Sequence, residues 1–214
     1  MNSHHSRSVS ERKSKKSIAL VVFDMDGTLT VPNLDFAEIR KAIGIEDSPL
    51  LTLDHLKTLS GKERDQAFGI LHKYEEEAAN NAVAQDGAPE LLAYLKAEKI
   101  ITAVQTRNSQ HCVDITFRKL GITIDHIFTR DNSPPKPDPS AILELIQLYN
   151  LDKSQVIMVG DFWADIETGQ NAGIRTVLLE NGSTMESKFE ADETIHNLLE
   201  LVPIIDKWSQ TTSE

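Results

Sequence analysis

A single cysteine occurs among the 214 residues, which excludes an intrachain disulfide and suits a reducing compartment. That residue, Cys112, stands in HCVDITFRKLG, a stretch with the pattern of an amphipathic helix. His111 beside it cannot face it from an adjacent helical position, so Cys112 reads as a packed or half-exposed thiol rather than a nucleophile. No stretch approaches about 18 consecutive apolar residues, so the sequence offers no membrane-spanning helix. Positive charge is also scarce. The 22 Lys and Arg against 33 Asp and Glu leave a net charge of −11, which argues against a nonspecific grip on nucleic acid or an acidic membrane. A small anionic ligand in a local site is not excluded. Residues 1–17 break the trend, with five Lys or Arg, one Glu and almost no apolar content. They read as a disordered basic tail without the apolar segment of a secretory signal. A cytoplasmic location is expected, with an organellar transit role for the tail left open.

The rest of the chain alternates strands and helices. IALVVF (18–23) is a β-branched apolar run of the kind found in a central parallel strand, buried on both faces. Strands are expected again at 100–104, 126–128, 155–159 and 175–179. Helices are expected at 89–98, at 109–120 closed by Gly121, at 138–150 and at 162–171. A short extended piece and a closing helix follow near the end. This rhythm predicts an α/β fold with a parallel sheet. Between Thr30 and Pro89 it is interrupted by about 55 residues with helical patterns and no convincing strand. There Ala67, Ile70, Leu71 and Tyr74 lie at helical spacing, with charge on the outer face. The expected organisation is a core of 18–30 and 88–214 with a helical module of 31–87 inserted after the first strand.

Ligands of open α/β sheets bind beyond the carboxyl ends of the strands. Asp24, Asp26, Gly27 and Thr28 follow the first strand; Thr106, Arg107 and Asn108 follow the second; Gly160, Asp161 and Asp165 follow the fourth. Lys136 lies between them in the proline-rich DNSPPKPDPS. Each alone is a common cap or solvated side chain. Together they have one consistent use. Several carboxylates can hold a hard cation through oxygen ligands, a hydroxyl and an ammonium can hold phosphate oxygens, and one carboxylate remains to attack phosphorus.

On these residues the chain resembles the haloacid dehalogenase superfamily of phosphatases. DMDGTLT (24–30), VQTRN ending a strand with Thr106, Lys136 in PPKPDP, and GDFWAD (160–165) match its four signatures in order. The likeness is to the phosphoglycolate phosphatase and β-phosphoglucomutase-like members with a small helical cap. It implies a Rossmann-like three-layer core with sheet order 5-4-1-2-3, and residues 31–87 as the cap.

The resemblance and the chemistry together give roles. Asp24 is the nucleophile that becomes an aspartyl-phosphate, and Asp26 is the general acid and base. Dehalogenases of the superfamily lack the second aspartate, so Asp26 points to phosphate esters. Mg²⁺ is the expected cofactor because its ligands, Asp24, Asp26, Asp161 and Asp165, are all oxygen donors; the resemblance implies that Asp26 uses its backbone carbonyl. Thr106 and Lys136 hold phosphate oxygens, with Thr28 and Asn108 supporting the phosphate or its loops. Met25, on the opposite side from both aspartates, belongs to the core. Arg107 reads either as a substrate contact or as a surface ion pair. Lys62 and Arg64 are candidate leaving-group contacts in the inserted module, with Arg40 and Lys41 behind them. The expected activity is hydrolysis of a small phosphorylated metabolite, a phosphoglycolate-like compound or a sugar phosphate, by a monomer or weak homodimer. Three alternatives remain: a sugar-phosphate mutase, a nucleoside monophosphate phosphatase, and a non-catalytic interaction protein that retains the fold. TVPNLDFAEI after Asp26 lacks the histidine with which such mutases suppress hydrolysis.

Overall fold

The computed structural model describes residues 17–181 and 190–210; the basic tail expected at 1–17 lies, but for Ser17, outside them. Six parallel strands form the sheet: β1 Leu20–Phe23, β2 Ile101–Gln105, β3 His126–Phe128, β4 Val156–Gly160, β5 Arg175–Leu179 and β6 Glu193–Ile195. Their order is β3-β2-β1-β4-β5-β6. This is the expected 5-4-1-2-3 arrangement with β6 added beyond β5. β1 is central, with Phe23 in register with Val104 of β2 on one side and Val159 of β4 on the other. Its four residues are all buried, because alternate side chains enter different cores. Val21 and Phe23 join a cluster with Leu91 and Leu95 of α4 (Ala88–Ala97), Val113 and Phe117 of α5 (Gln110–Leu120), and Leu201 and Ile205 of α8 (Leu201–Gln210). Leu20 and Val22 join Ile142 and Leu145 of α6 (Ser140–Leu148) and Ala172 of α7 (Trp163–Ala172). Helices therefore cover both faces of the sheet, and ligand access is left to the strand ends.

Three helices fill the interval after β1: α1 Phe36–Ile43, α2 Thr52–Thr58 and α3 Gly61–Asn80. They share a separate apolar cluster of Ile39, Ile45, Leu53, Leu56, Ala67 and Leu71. α3 does not run to the end of this interval. It stops at Asn80 because the chain pairs back on its own entry: Val31 N–H donates to Val83 O at 2.9 Å and Gln85 N–H to Leu29 O at 2.9 Å. Entry and exit of the helical segment are thereby held side by side.

A second difference concerns the outer face of α3. Glu75 lies there among charged neighbours but is only 5% exposed. Arg130, in the loop after β3, donates Nη1 to Glu75 Oε1 at 2.5 Å and Nη2 to Oε2 at 2.7 Å. This fork-to-fork pair, with the packing of α3 on α5, joins the inserted helices to the sheet domain.

Candidate active site

The carboxyl ends of β1, β2 and β4 converge on a group of carboxylates around one ammonium. Asp24 continues β1 in parallel with β4, its N–H donating to Val159 O at 2.9 Å. Met25 is fully buried in the same cluster as Val21 and Phe23, as the strand period of two requires. Gly27 has a φ of 96°, and a Cβ there would collide with the Asp161 carboxylate. A residue without a side chain is thus needed both for the turn and for this approach. Gly160, at the end of β4, leaves corresponding space for Asp165.

Lys136 is 5% exposed. Its ammonium donates to Asp24 Oδ1 and, at 2.5 Å, to Asp165 Oδ1. The loop that carries it is anchored on both sides: Gln105 Nε2 donates to Asp138 O at 3.0 Å and Asn171 Nδ2 to Pro137 O at 3.1 Å. Burial works against the Lys136 charge, but Asp165 and Asp24 outweigh it and push its pKa above the usual lysine value. Asp165, fully buried in the first turn of α7, also accepts from Phe162 N–H at 3.0 Å. Among the described residues no side chain hydrogen-bonds Asp24 Oδ2.

The other carboxylates are short of positive charge. Burial and the charge of Asp24 raise Asp161 to about 6, against the hydrogen bond from Asn181. Burial also raises Asp165 to about 7; Lys136 opposes it and the Asp24 charge adds to it. Ligand oxygens of Asp24, Asp161 and Asp165 lie within 4.8 Å of one another. An all-oxygen trio carrying more negative charge than one ammonium offsets fits a hard divalent cation such as Mg²⁺. The Asp26 carboxylate is not part of this trio. Asn108 Nδ2 donates to its Oδ2 at 3.2 Å, and burial with the neighbouring Asp24 charge raises it to about 7.

The remaining candidate residues lie in different settings. Thr106 Oγ1 accepts from Asn108 N–H at 3.1 Å, which leaves the hydroxyl proton for another acceptor. Thr28 Oγ1 approaches Asp161 Oδ1 at 3.4 Å. Arg107 takes the ion-pair reading, with Nη2 at 2.7 Å from Asp54 Oδ2 of α2. Arg40 is occupied by loop carbonyls, those of Leu50 at 2.8 Å and Ser48 among them. Lys62 and Arg64 are exposed at the start of α3; Arg64 lies over the Phe68 ring at 5.5 Å, and among the described residues neither bonds to the carboxylate cluster. Cys112 is fully buried. Asn181 escaped the sequence reading although it too follows a strand, β5. Its Nδ2 donates to Gly27 O at 2.6 Å and Asp161 Oδ2 at 3.0 Å.

The chain is similar to known proteins in sequence and in fold. A family model described as haloacid dehalogenase-like hydrolase matches residues 21–179. An uncharacterized hydrolase of Saccharomyces cerevisiae is 34% identical over 206 residues, covering 91% of this chain and 94% of its own. An N-acetylmuramic acid 6-phosphate phosphatase of Pseudomonas aeruginosa is 29% identical over 219 residues, covering 87% and 94%. The crystal structure of a hydrolase from Pseudomonas syringae aligns with a TM-score of 0.74 at 22% identity, over 88% of this chain and 98% of that one; at that identity the likeness is one of fold. The chain belongs to the haloacid dehalogenase-like hydrolase family: it is a hydrolase, with relatives named as phosphatases.

Proposed function

We propose that the chain is a Mg²⁺-dependent phosphomonoesterase that hydrolyses a small organic phosphate through an aspartyl-phosphate on Asp24. The observation that carries this reading is the contrast between two neighbouring aspartates. Asp24 is held against the buried Lys136 ammonium through Oδ1, with no side chain among the described residues bonded to its Oδ2, while Asp26 is raised to about 7 by burial and the Asp24 charge. One is suited to attack and the other to carry a proton near neutral pH, a division of labour that environment imposes on identical side chains.

In this scheme Asp24 Oδ2 attacks phosphorus while Asp26 protonates the departing alkoxide. Asp26, now ionised, then takes a proton from the water that cleaves the acyl-phosphate. Lys136 and the Thr106 hydroxyl hold equatorial phosphate oxygens, where transition-state charge is spread. Asn108 keeps the Asp26 carboxyl aimed at the leaving group, and Thr28 and Asn181 hold Asp161. Asp24 and Asp161, with Asp165 and the Asp26 backbone, would hold Mg²⁺, which when bound supplies charge neutralisation and alignment for the phosphate. Residues 31–87 form the cap that shelters the leaving group from water, with Lys62 and Arg64 as contacts to test.

Relatives are named N-acetylmuramic acid 6-phosphate phosphatase and phosphoglycolate phosphatase, which favours a sugar phosphate, or a small carboxylated phosphate of the phosphoglycolate kind, over a nucleotide. Such a metabolite, in a reducing compartment, suits a chain whose lone cysteine is buried. The test is release of inorganic phosphate from a panel of phosphomonoesters with Mg²⁺ and with chelator. Metal-dependent release from at least one small phosphate ester is expected. Isomerised sugar phosphate with little free phosphate, or full turnover in chelator, would overturn the proposal.

A further inference from the structure

A second group of potential ligands lies away from the carboxylates at the strand ends, where α3 packs on α5. His72 and Glu76 are one helical turn apart on α3, so their side chains share a face. His111 is the second residue of α5. The His72 and His111 rings are 5.4 Å apart between centroids and tilted by 45°. His111 Nε2 lies 3.4 Å from Glu76 Oε1. One ligand atom from each of the three residues lies within 4.8 Å of the other two. We propose that His72, Glu76 and His111 form a binding site for a zinc-class divalent ion, bridging the inserted helices to the core.

The donor set decides the class of ion. Two imidazole nitrogens and one carboxylate suit Zn²⁺ and its borderline neighbours, whereas Mg²⁺ and Ca²⁺ prefer oxygen alone. Bonds of about 2.0–2.2 Å in a tetrahedron bring ligand atoms roughly 3.4 Å apart. The side chains must therefore draw together slightly, and those of His111 and Glu76, 56% and 46% exposed, are free to do so. Three protein ligands leave a fourth position for water.

His72 is also near Glu75 and Cys112, but that grouping is a poorer site. Both Glu75 oxygens are engaged by Arg130, and burial raises the Cys112 thiol, which disfavours the thiolate a metal requires. An ion at His72, Glu76 and His111 would join α3 to the helix that begins immediately after Asn108 and its neighbour Ser109. Its binding does not depend on the phosphatase reading, since none of its ligands belongs to the carboxylate trio.

The experiment is calorimetric titration of the full chain with ZnCl₂ in saturating MgCl₂, which occupies the oxygen site. Wild type, Asp161→Asn and Cys112→Ser should bind Zn²⁺ with similar affinity. His72→Ala and His111→Ala should each weaken binding by at least about tenfold while retaining the wild-type circular dichroism spectrum. Zn²⁺ binding unchanged in the two folded histidine variants, loss of binding in Cys112→Ser, or no Zn²⁺ binding by the wild type would overturn the proposal.

Discussion

Glu75 of α3 receives both terminal guanidinium nitrogens of Arg130, a residue 55 positions away in the loop after β3. Arg130 also donates Nη1 to Arg107 O at 3.2 Å, so one side chain connects the inserted helices with the loop that carries Thr106 and Asn108. Removing one partner strands a buried charge, which costs about 3–5 kcal/mol. Glu75→Gln should therefore lower stability markedly in denaturant titration. The double variant Glu75→Leu, Arg130→Met should recover much of the loss, because no charge is left unpaired. A single variant within about 0.5 kcal/mol of wild type, the scatter of ordinary surface substitutions, would remove the pair from the account. The Arg107–Asp54 pair is partly exposed and should be worth no more than about 1 kcal/mol.

Asp26 and Asp24 should fail differently. Asp24→Asn should abolish leaving-group release. Asp26→Asn retains a partner for Asn108 and keeps the nucleophile, so it should lose the proton-transfer contribution, roughly 10²–10⁴-fold in kcat for an alkyl phosphate. With p-nitrophenyl phosphate the first step needs little protonation, and stopped-flow should resolve a release phase much less affected than overall turnover. Equal loss of that phase and of turnover would exclude Asp26 as the acid.

The raised carboxyl groups link pH to stability. Burial and the Asp24 charge raise Asp26 to about 7, and the same forces raise Asp161 to about 6; Asp165, raised chiefly by burial, stands at about 7, all from an ordinary 3.8. The folded metal-free protein thus binds more protons than the unfolded chain between these values. Their contribution to stability is complete below about pH 4 and is lost as pH rises through about 6 and 7. Lys136 is also raised, but its contribution declines only in the alkaline range. In chelator, Tm should fall between about pH 5 and pH 8, and less so in Asp26→Asn. Mg²⁺ should raise Tm more at about pH 8, where the carboxylates are ionised. An equal Mg²⁺ shift at both pH values would contradict the assignment of Asp161 and Asp165 to a metal site.

Much of this arrangement was legible because strand ends are local features. β5 falls at Arg175–Leu179 as the apolar pattern indicated, and Asp24, Thr106, Asp161 and Asp165 follow their strands as expected. Lys136 was legible through its proline-rich loop. What pattern could not supply was long-range pairing. Glu75 looks like one of several solvated acids on α3, and only the placement of Arg130 makes its burial tolerable. Arg40 has the charge of a substrate contact, but its guanidinium is taken up by the carbonyls of its own following loop. The helix end at Asn80 depends on Val83 returning to Val31, a pairing without a local signal. Asn181 carried a signal, its position just beyond β5, but amides at strand ends are common as turn residues.

The central claim is covalent chemistry at Asp24, and the most direct measurement is to trap the acyl-phosphate. Asp26→Asn incubated with p-nitrophenyl phosphate and Mg²⁺, then quenched in acid and digested, should yield the peptide containing Asp24 with one phosphoryl group. Borohydride should convert that residue to homoserine. The same treatment of Asp24→Asn should leave the peptide unmodified. Phosphoryl transfer to another residue, or steady release of p-nitrophenol in Asp24→Asn at the wild-type rate, would contradict the account.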